Sequence, residues 1–218
     1  MVKIARKLKN EPGLFITFEG VEGSGKSVQT NILYNNLKKE GYNVYLTREP
    51  GGTESGMRIR EILLNTSNKI NPYTELFLYL SDRSEHILEV IKPHLKEGKI
   101  VISDRFFDST IAYQKAGRGI PDDEIMKIMK FQIFKEIEPD MTFLLDVSPE
   151  SVQKRLENPD RIEREDIKFH IKVRNEYLKL AKKNPDRIVL INALYSIEKI
   201  SAIINKTTLD LIEEVNYG

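Results

Sequence analysis

Five short apolar runs, LFITFE, YNVYLT, KIVISD, MTFLLDV and RIVLINA, recur along the chain, each rich in Val, Ile and Phe. Runs of this length read as buried strands. Amphipathic stretches with recognisable starts lie between them. Asn71-Pro72 opens one that runs toward Gly98, with Pro93 expected to kink or interrupt it, and Pro121-Asp122-Asp123 and Ser148-Pro149-Glu150 open others, with proline at the first helical position. Unbroken apolar strands that alternate with helices imply crossover connections, and hence a parallel sheet covered on both faces. The expected architecture is a doubly wound α/β fold, a five-stranded parallel sheet with helices on both faces, forming one domain over residues 1–218. In such sheets ligands gather beyond the carboxyl ends of the strands, so the segments that follow each run hold the candidate chemistry.

Composition removes several classes. The absence of cysteine excludes disulfides, thiolate catalysis and cysteine-based metal centres. His86, His94 and His170 show no metal-ligand spacing and are assigned no chemistry. Lys plus Arg number 34 against 33 Asp plus Glu, and charged runs such as RIEREDIK alternate in sign, so neither a nucleic-acid partner nor an anionic membrane surface is expected. The basic start MVKIARKLKN meets Pro12-Gly13 instead of a signal-length apolar stretch, and no run is long enough to span a bilayer. A cytoplasmic protein is the simplest reading.

The first run is followed by Gly20-Val21-Glu22-Gly23-Ser24-Gly25-Lys26-Ser27, which satisfies G-x-x-x-x-G-K-[ST] between a strand and a helical stretch. Glycines allow successive backbone N–H groups to turn inward on phosphate oxygens, and the following helix adds the positive end of its dipole. Lys26 would reach the β and γ phosphates of a bound nucleoside triphosphate. Ser27 would place its hydroxyl on Mg²⁺, with Asp104 at the end of the third run beside it, directly or through water. Glu22 is out of place as a phosphate ligand, because like charges repel in a shielded pocket, so its side chain must leave the cradle. A Ras-type GTPase is disfavoured: Asn68-Lys69 and Asn205-Lys206 lack the aspartate of N-K-x-D, and no D-x-x-G occurs.

Arginines follow the next two runs, Arg48 in TREPGGT and Arg105 in SDRFF, each placed where a guanidinium fork would hold a second phosphate. Arg83, in FLYLSDR, lies four residues after Tyr79 and shares its helix face. An aromatic ring with convergent arginines suits a nucleoside monophosphate. The acceptor oxygen of such a molecule is already ionised near neutrality, since the second phosphate pKa is about 6. No general base is therefore required.

Four ordered segments, FEGVEGSGKS, TREPGGT, FLYLSDR and SDRFFDSTIAYQ, resemble the motifs of the thymidylate kinase family, and the likeness covers nearly the whole chain. The resemblance implies a P-loop nucleotide kinase fold, transfer of a phosphoryl group from MgATP to dTMP, and a homodimer. It implies that Arg48 and Arg105 clamp the acceptor phosphate beside Pro50, that Tyr79 stacks on the base, and that Arg83 bonds a base carbonyl. Ser109 and Thr110 would face the base edge, Tyr113 would crowd out a ribose 2′-hydroxyl, and Gln114 would line the same pocket. Glu22 would address the acceptor sugar or Mg²⁺-bound water. Val28 would complete the ATP loop where the family commonly has threonine, and Ala193 in LINALYS would lie near adenine. Tyr79 and Phe106 stand where the family usually has Phe and Tyr.

RLENPDRIERED, residues 155–166, resembles the lid, with Asn158-Pro159-Asp160 as a turn. The resemblance implies a catalytic arginine in either the phosphate loop or the lid; the loop here carries none, which leaves Arg155 and Arg161 as the candidates, while Arg164 is more simply a partner of Glu163 or Glu165. Alternatives left open are a dUMP or UMP kinase on this scaffold, a nucleoside kinase, and a catalytically silent nucleotide-binding module.

Overall fold

The computed structural model describes residues 12–152 and 158–217. Five strands, β1 (Leu14–Glu19), β2 (Val44–Arg48), β3 (Ile100–Asp104), β4 (Met141–Asp146) and β5 (Ile188–Asn192), form one sheet in the order β2-β3-β1-β4-β5. Every pairing is parallel, as the unbroken apolar runs require. Along β1, Leu14, Ile16 and Phe18 pack into one apolar cluster while Phe15 enters another. This period-two alternation buries both faces, each large side chain contributing about 2–3 kcal/mol.

The chain leaves β1 through the phosphate loop into α1 (Lys26–Lys39), whose N-cap, Gly25, sits at φ 92 with no side-chain cap. A cap there would occupy the amides that a phosphate needs. After β2 come α2 (Glu54–Leu64) and α3 (Pro72–His86). Asn71 caps α3 by accepting from Thr74 N–H, with Pro72 in the first turn as expected. The expected interruption at Pro93 takes the form of a π-helical segment, Ile87–Ile91, leading into α4 (Lys92–Lys96). The wider turn makes room for a ring that cannot donate to the helix ladder.

Beyond β3 lie α5 (Phe107–Thr110) and a second π-helical segment, Ile111–Gly117, then α6 (Asp122–Ile128) and α7 (Gln132–Lys135). Pro121 is the N-cap of α6 and not its first helical residue. After β4, α8 (Pro149–Val152) begins at the expected proline, and α9 (Ile167–Lys183) starts under an Asp166 cap onto Phe169 N–H. The C-terminal α10 (Ile197–Tyr217) closes the β1 cluster with Ile200, Ile204, Leu211 and Ile212. Strand connections reverse direction between β1 and β3, which opens the crevice where the site forms.

Candidate active site

The loop after β1 and the turn after β3 start side by side, because Phe18 pairs with Asp104 and Arg105 N–H donates to Phe18 O at 2.9 Å. Arg105 adopts φ 76, a conformation that costs a non-glycine residue energy and is held only by its surroundings. Those surroundings are dense. Its carbonyl accepts from Ser103 Oγ at 2.8 Å, and its guanidinium donates to Glu22 Oε1 at 2.8 Å, Gly20 O at 3.1 Å, Ser109 Oγ at 3.2 Å, and the Tyr113 and Tyr177 hydroxyls at 3.3 Å.

Behind Arg105 stands Glu19, fully buried at the end of β1. Its carboxyl accepts from Phe106 N–H at 2.8 Å, Ser109 Oγ at 2.6 Å and Tyr177 OH at 2.8 Å. Burial, then the charge of Asp108, pushes Glu19 up from 4.5 to about 7, against the opposing pull of Arg105. Glu22 differs: burial raises it, but Arg105, Lys26 and the Tyr113 hydroxyl outweigh that and hold it below the usual carboxylate range. The Tyr113 hydroxyl lies within 2.7 Å of both Glu22 oxygens. Glu22 thus leaves the phosphate cradle and turns toward Arg105.

Lys26 folds into the loop, donating to Gly20 O at 3.0 Å and Val21 O at 2.8 Å. Burial and the neighbouring Arg105 charge lower it from 10.5 to about 8. Ser27 Oγ donates to Asp104 Oδ2 at 2.5 Å. A hydroxyl and a carboxylate side by side at the mouth of a phosphate loop form a hard-oxygen donor pair that fits Mg²⁺.

The turn after β2 is fixed from below. Glu49 accepts from Arg83 Nε at 2.8 Å and pairs with His86 Nδ1 at 2.9 Å, and His86 Nε2 meets Thr47 Oγ1 at 2.7 Å. Burial raises Glu49, yet Arg83 and His86 outweigh it and keep the carboxylate charged. Arg83 also donates to Thr110 Oγ1 at 2.6 Å and Phe106 O at 3.0 Å. The Arg48 side chain is exposed and makes no hydrogen bond or ion pair with a described residue.

These elements enclose a cavity of about 230 Å³. Of the sequence candidates, Glu22, Gly23, Lys26, Ser27, Arg48, Pro50, Tyr79, Arg83, Asp104, Arg105, Ser109, Thr110, Tyr113 and Gln114 line it together. Gly20, Val21, Ser24 and Gly25 build the loop, with Val28 half exposed on the outer side of α1. Ala193 stands apart from the cavity and packs against two apolar clusters, its N–H donating to Asp146 O.

Of the two lid candidates for catalytic charge, only Arg161 lies among the described residues. Arg155 lies outside the described residues. Arg161 turns away from the cavity: it donates to Leu63 O at 2.6 Å and to Glu75 Oε2 at 2.7 Å. Arg164 Nε donates to Pro159 O, and neither Glu163 nor Glu165 is its partner; Glu165 pairs with Arg118. The expected turn at Asn158-Pro159-Asp160 falls later, over residues 161–164, where Asp160 accepts from Ile162 and Glu163 N–H and lines the cavity with both.

Sequence reasoning passed over Glu19, Glu49, Glu75, Tyr177 and Arg118, as well as two histidines beside the site. His86 is bound to Glu49, and His170 Nδ1 is 3.7 Å from Glu22. Two signals were present in the sequence. Glu19 is a carboxylate inside an apolar strand, and Glu75 precedes Tyr79 by one helical turn.

The model of the thymidylate kinase family matches residues 18–204. A thymidylate kinase of Sulfurihydrogenibium sp. (strain YO3AOP1) is 50% identical over 194 residues, covering 88% of this chain and 95% of that protein. The thymidylate kinase of Halothermothrix orenii is 45% identical over 197 residues, covering 86% and 92%. The crystal structure of thymidylate kinase from Ehrlichia chaffeensis superimposes with a TM-score of 0.70 at 37% identity, covering 92% and 98% of the two chains. Among the described residues no helix is long and apolar enough to cross a membrane. With a family match that spans most of the molecule and relatives this similar end to end, the chain belongs to the thymidylate kinase family.

Proposed function

We propose that the protein transfers the γ-phosphoryl group of ATP to dTMP, giving dTDP and ADP. The observation that carries this reading is the joining of two phosphate-directed groups in one cavity: Lys26 of the loop and Arg105 of the acceptor turn, linked through Glu22. An oxygen of the dTMP phosphate attacks the γ-phosphorus, the bond to the β–γ bridging oxygen breaks, and ADP leaves. The phosphate oxygen is ionised already, so the protein supplies positioning and positive charge. Arg48 and Arg105 hold the acceptor phosphate, Tyr79 carries the base, Tyr113 faces the sugar, and Glu22 orients Arg105. Ser27 and Asp104 would hold Mg²⁺, which supplies neutralisation of phosphate charge when bound. Arg161, bound to Glu75 in this structure, would have to leave that carboxylate to reach the donor phosphates.

We also infer a homodimer that pairs through α2 and α3, where Met57 and Phe77 are more than half exposed. Sedimentation velocity checks it, and a monomer across the micromolar range refutes it. For the reaction, ADP release is followed with dTMP, dUMP, UMP, CMP and thymidine as acceptors. Turnover with dTMP above the rest is expected. No dTMP-dependent turnover refutes the reading, and preference for a uracil acceptor moves it to a dUMP or UMP kinase.

A further inference from the structure

Glu75, on α3, is fully buried with every acceptor position in use. Its Oε1 accepts from Gln114 Nε2 at 3.1 Å and Arg118 Nε at 2.8 Å, while Oε2 accepts from Arg118 NH2 at 2.8 Å and Arg161 NH2 at 2.7 Å. Burial raises its pKa, but the hydrogen bonds and charges of Arg118 and Arg161 outweigh burial and keep it ionised. An ionised carboxylate accepts and never donates. The Gln114 amide therefore has one permitted orientation, NH₂ toward Glu75 and Oε1 away from it. Gln114 is 2% exposed and lines the cavity, and its Oε1 takes no hydrogen bond from a described residue.

We infer that Glu75 is a specificity-determining positioning residue: by locking the Gln114 amide, it presents an acceptor to the base edge and selects a pyrimidine that carries a proton on N3. Thymine and uracil donate from N3. Cytosine has a lone pair there, which would face the Gln114 oxygen across a dry contact with no proton between them. Were the amide free, it would rotate and offer NH₂ to cytosine, and the discrimination would disappear. The carboxylate on α3 thus acts through Gln114 without touching the acceptor. The same carboxylate holds Arg161, so the base-reading amide and the lid arginine share one anchor.

This inference rests on the pyrimidine monophosphate kinase reading, and its test separates the two. Glu75→Gln removes the charge at constant shape and lets the Gln114 amide turn. The measured quantity is the ratio of kcat/KM for dTMP to that for dCMP. A fall of at least about tenfold is expected, the size of one mismatched buried polar contact. In a Gln114→Leu background the same substitution should leave the ratio unchanged. A ratio within about twofold of wild type, or an equal fall in the Gln114→Leu background, overturns the inference while dTMP turnover leaves the kinase reading standing. Absence of dTMP turnover in the wild-type enzyme refutes the kinase reading itself. If Glu75→Gln does not fold, NMR of the wild-type side-chain amides decides, with the Gln114 signal assigned by its loss in Gln114→Leu. Its NH₂ protons should be protected from exchange before dTMP is added. Protons that exchange freely and gain protection only with dTMP overturn the inference.

Discussion

Glu19→Gln should reverse part of the pH dependence of stability. In the folded protein this carboxyl sits at about 7 against an ordinary 4.5, because burial and Asp108 disfavour its charge. The folded state thus binds the proton more tightly than the unfolded chain. Its contribution to stability is fully present below the unfolded value of 4.5 and is lost as pH rises to about 7. At 1.36 kcal/mol per unit, the loss between about pH 4 and pH 8 is roughly 3 kcal/mol. A glutamine stays neutral throughout. Its oxygen can accept from Phe106 and Ser109 N–H as Oε1 does, and its NH₂ faces the Ser109 and Tyr177 hydroxyls, which can turn their lone pairs to it. Urea unfolding of both proteins at several pH values measures the effect. The stability difference should shift toward the variant by roughly 3 kcal/mol across that window, with groups remote from Glu19 cancelling in the comparison. Parallel curves for the two proteins would refute the assignment of a raised pKa to Glu19.

Three further outcomes follow from the geometry. Lys26, lowered to about 8, should take up a proton when a triphosphate binds at higher pH, so ATP affinity should weaken as pH rises past that value; calorimetry in buffers of different ionisation enthalpy reads the uptake, and its absence refutes the contact. Gly52→Ala would place a methyl 2.4 Å from the His86 ring, which Glu49 and Thr47 hold in place, so a loss of about 1–3 kcal/mol is expected in thermal or urea unfolding and unchanged stability refutes it. Tyr113→Phe removes the hydroxyl shared by Glu22 and Arg105. It should lower kcat/KM for dTMP by about tenfold, the worth of a hydrogen bond to a charged group, and narrow the preference for dUMP over UMP; an unaltered preference would place the sugar elsewhere.

The sheet was legible because each strand is a continuous apolar segment, a pattern that needs no knowledge of its neighbours. The placement of the phosphate loop and of the arginines after β2 and β3 was legible for a related reason, since it follows from position relative to a strand end. What remained hidden was pairing. Glu75 reaches Arg118 and Arg161 across 43 and 86 residues, and Glu19 reaches Tyr177 across 158. No periodicity encodes such partners: Glu19 stands out inside an apolar strand and Glu75 one turn before Tyr79, but nothing local in the sequence names the groups they bond. His86 was seen as an ordinary histidine for the same reason, its carboxylate being 37 residues away on another element. Arg161 shows the converse. Its place in the lid pointed to the donor phosphates, but a buried carboxylate competes for it in this conformation.

The adjacency of β1 and β3 has a consequence for how such an enzyme can vary. The phosphate loop and Arg105 leave neighbouring strands at paired positions, so the strand ends they start from lie one inter-strand spacing apart, about 4.8 Å, set by main-chain hydrogen bonds. No side-chain replacement resets that gauge; only an insertion or deletion in β1 or β3 does. The residues proposed to read the base, by contrast, hang from α3 and the π-helical segment after β3, outside the sheet. Acceptor choice and reaction geometry are therefore written on separate parts of the fold, and one can drift through substitution while the other stays in line.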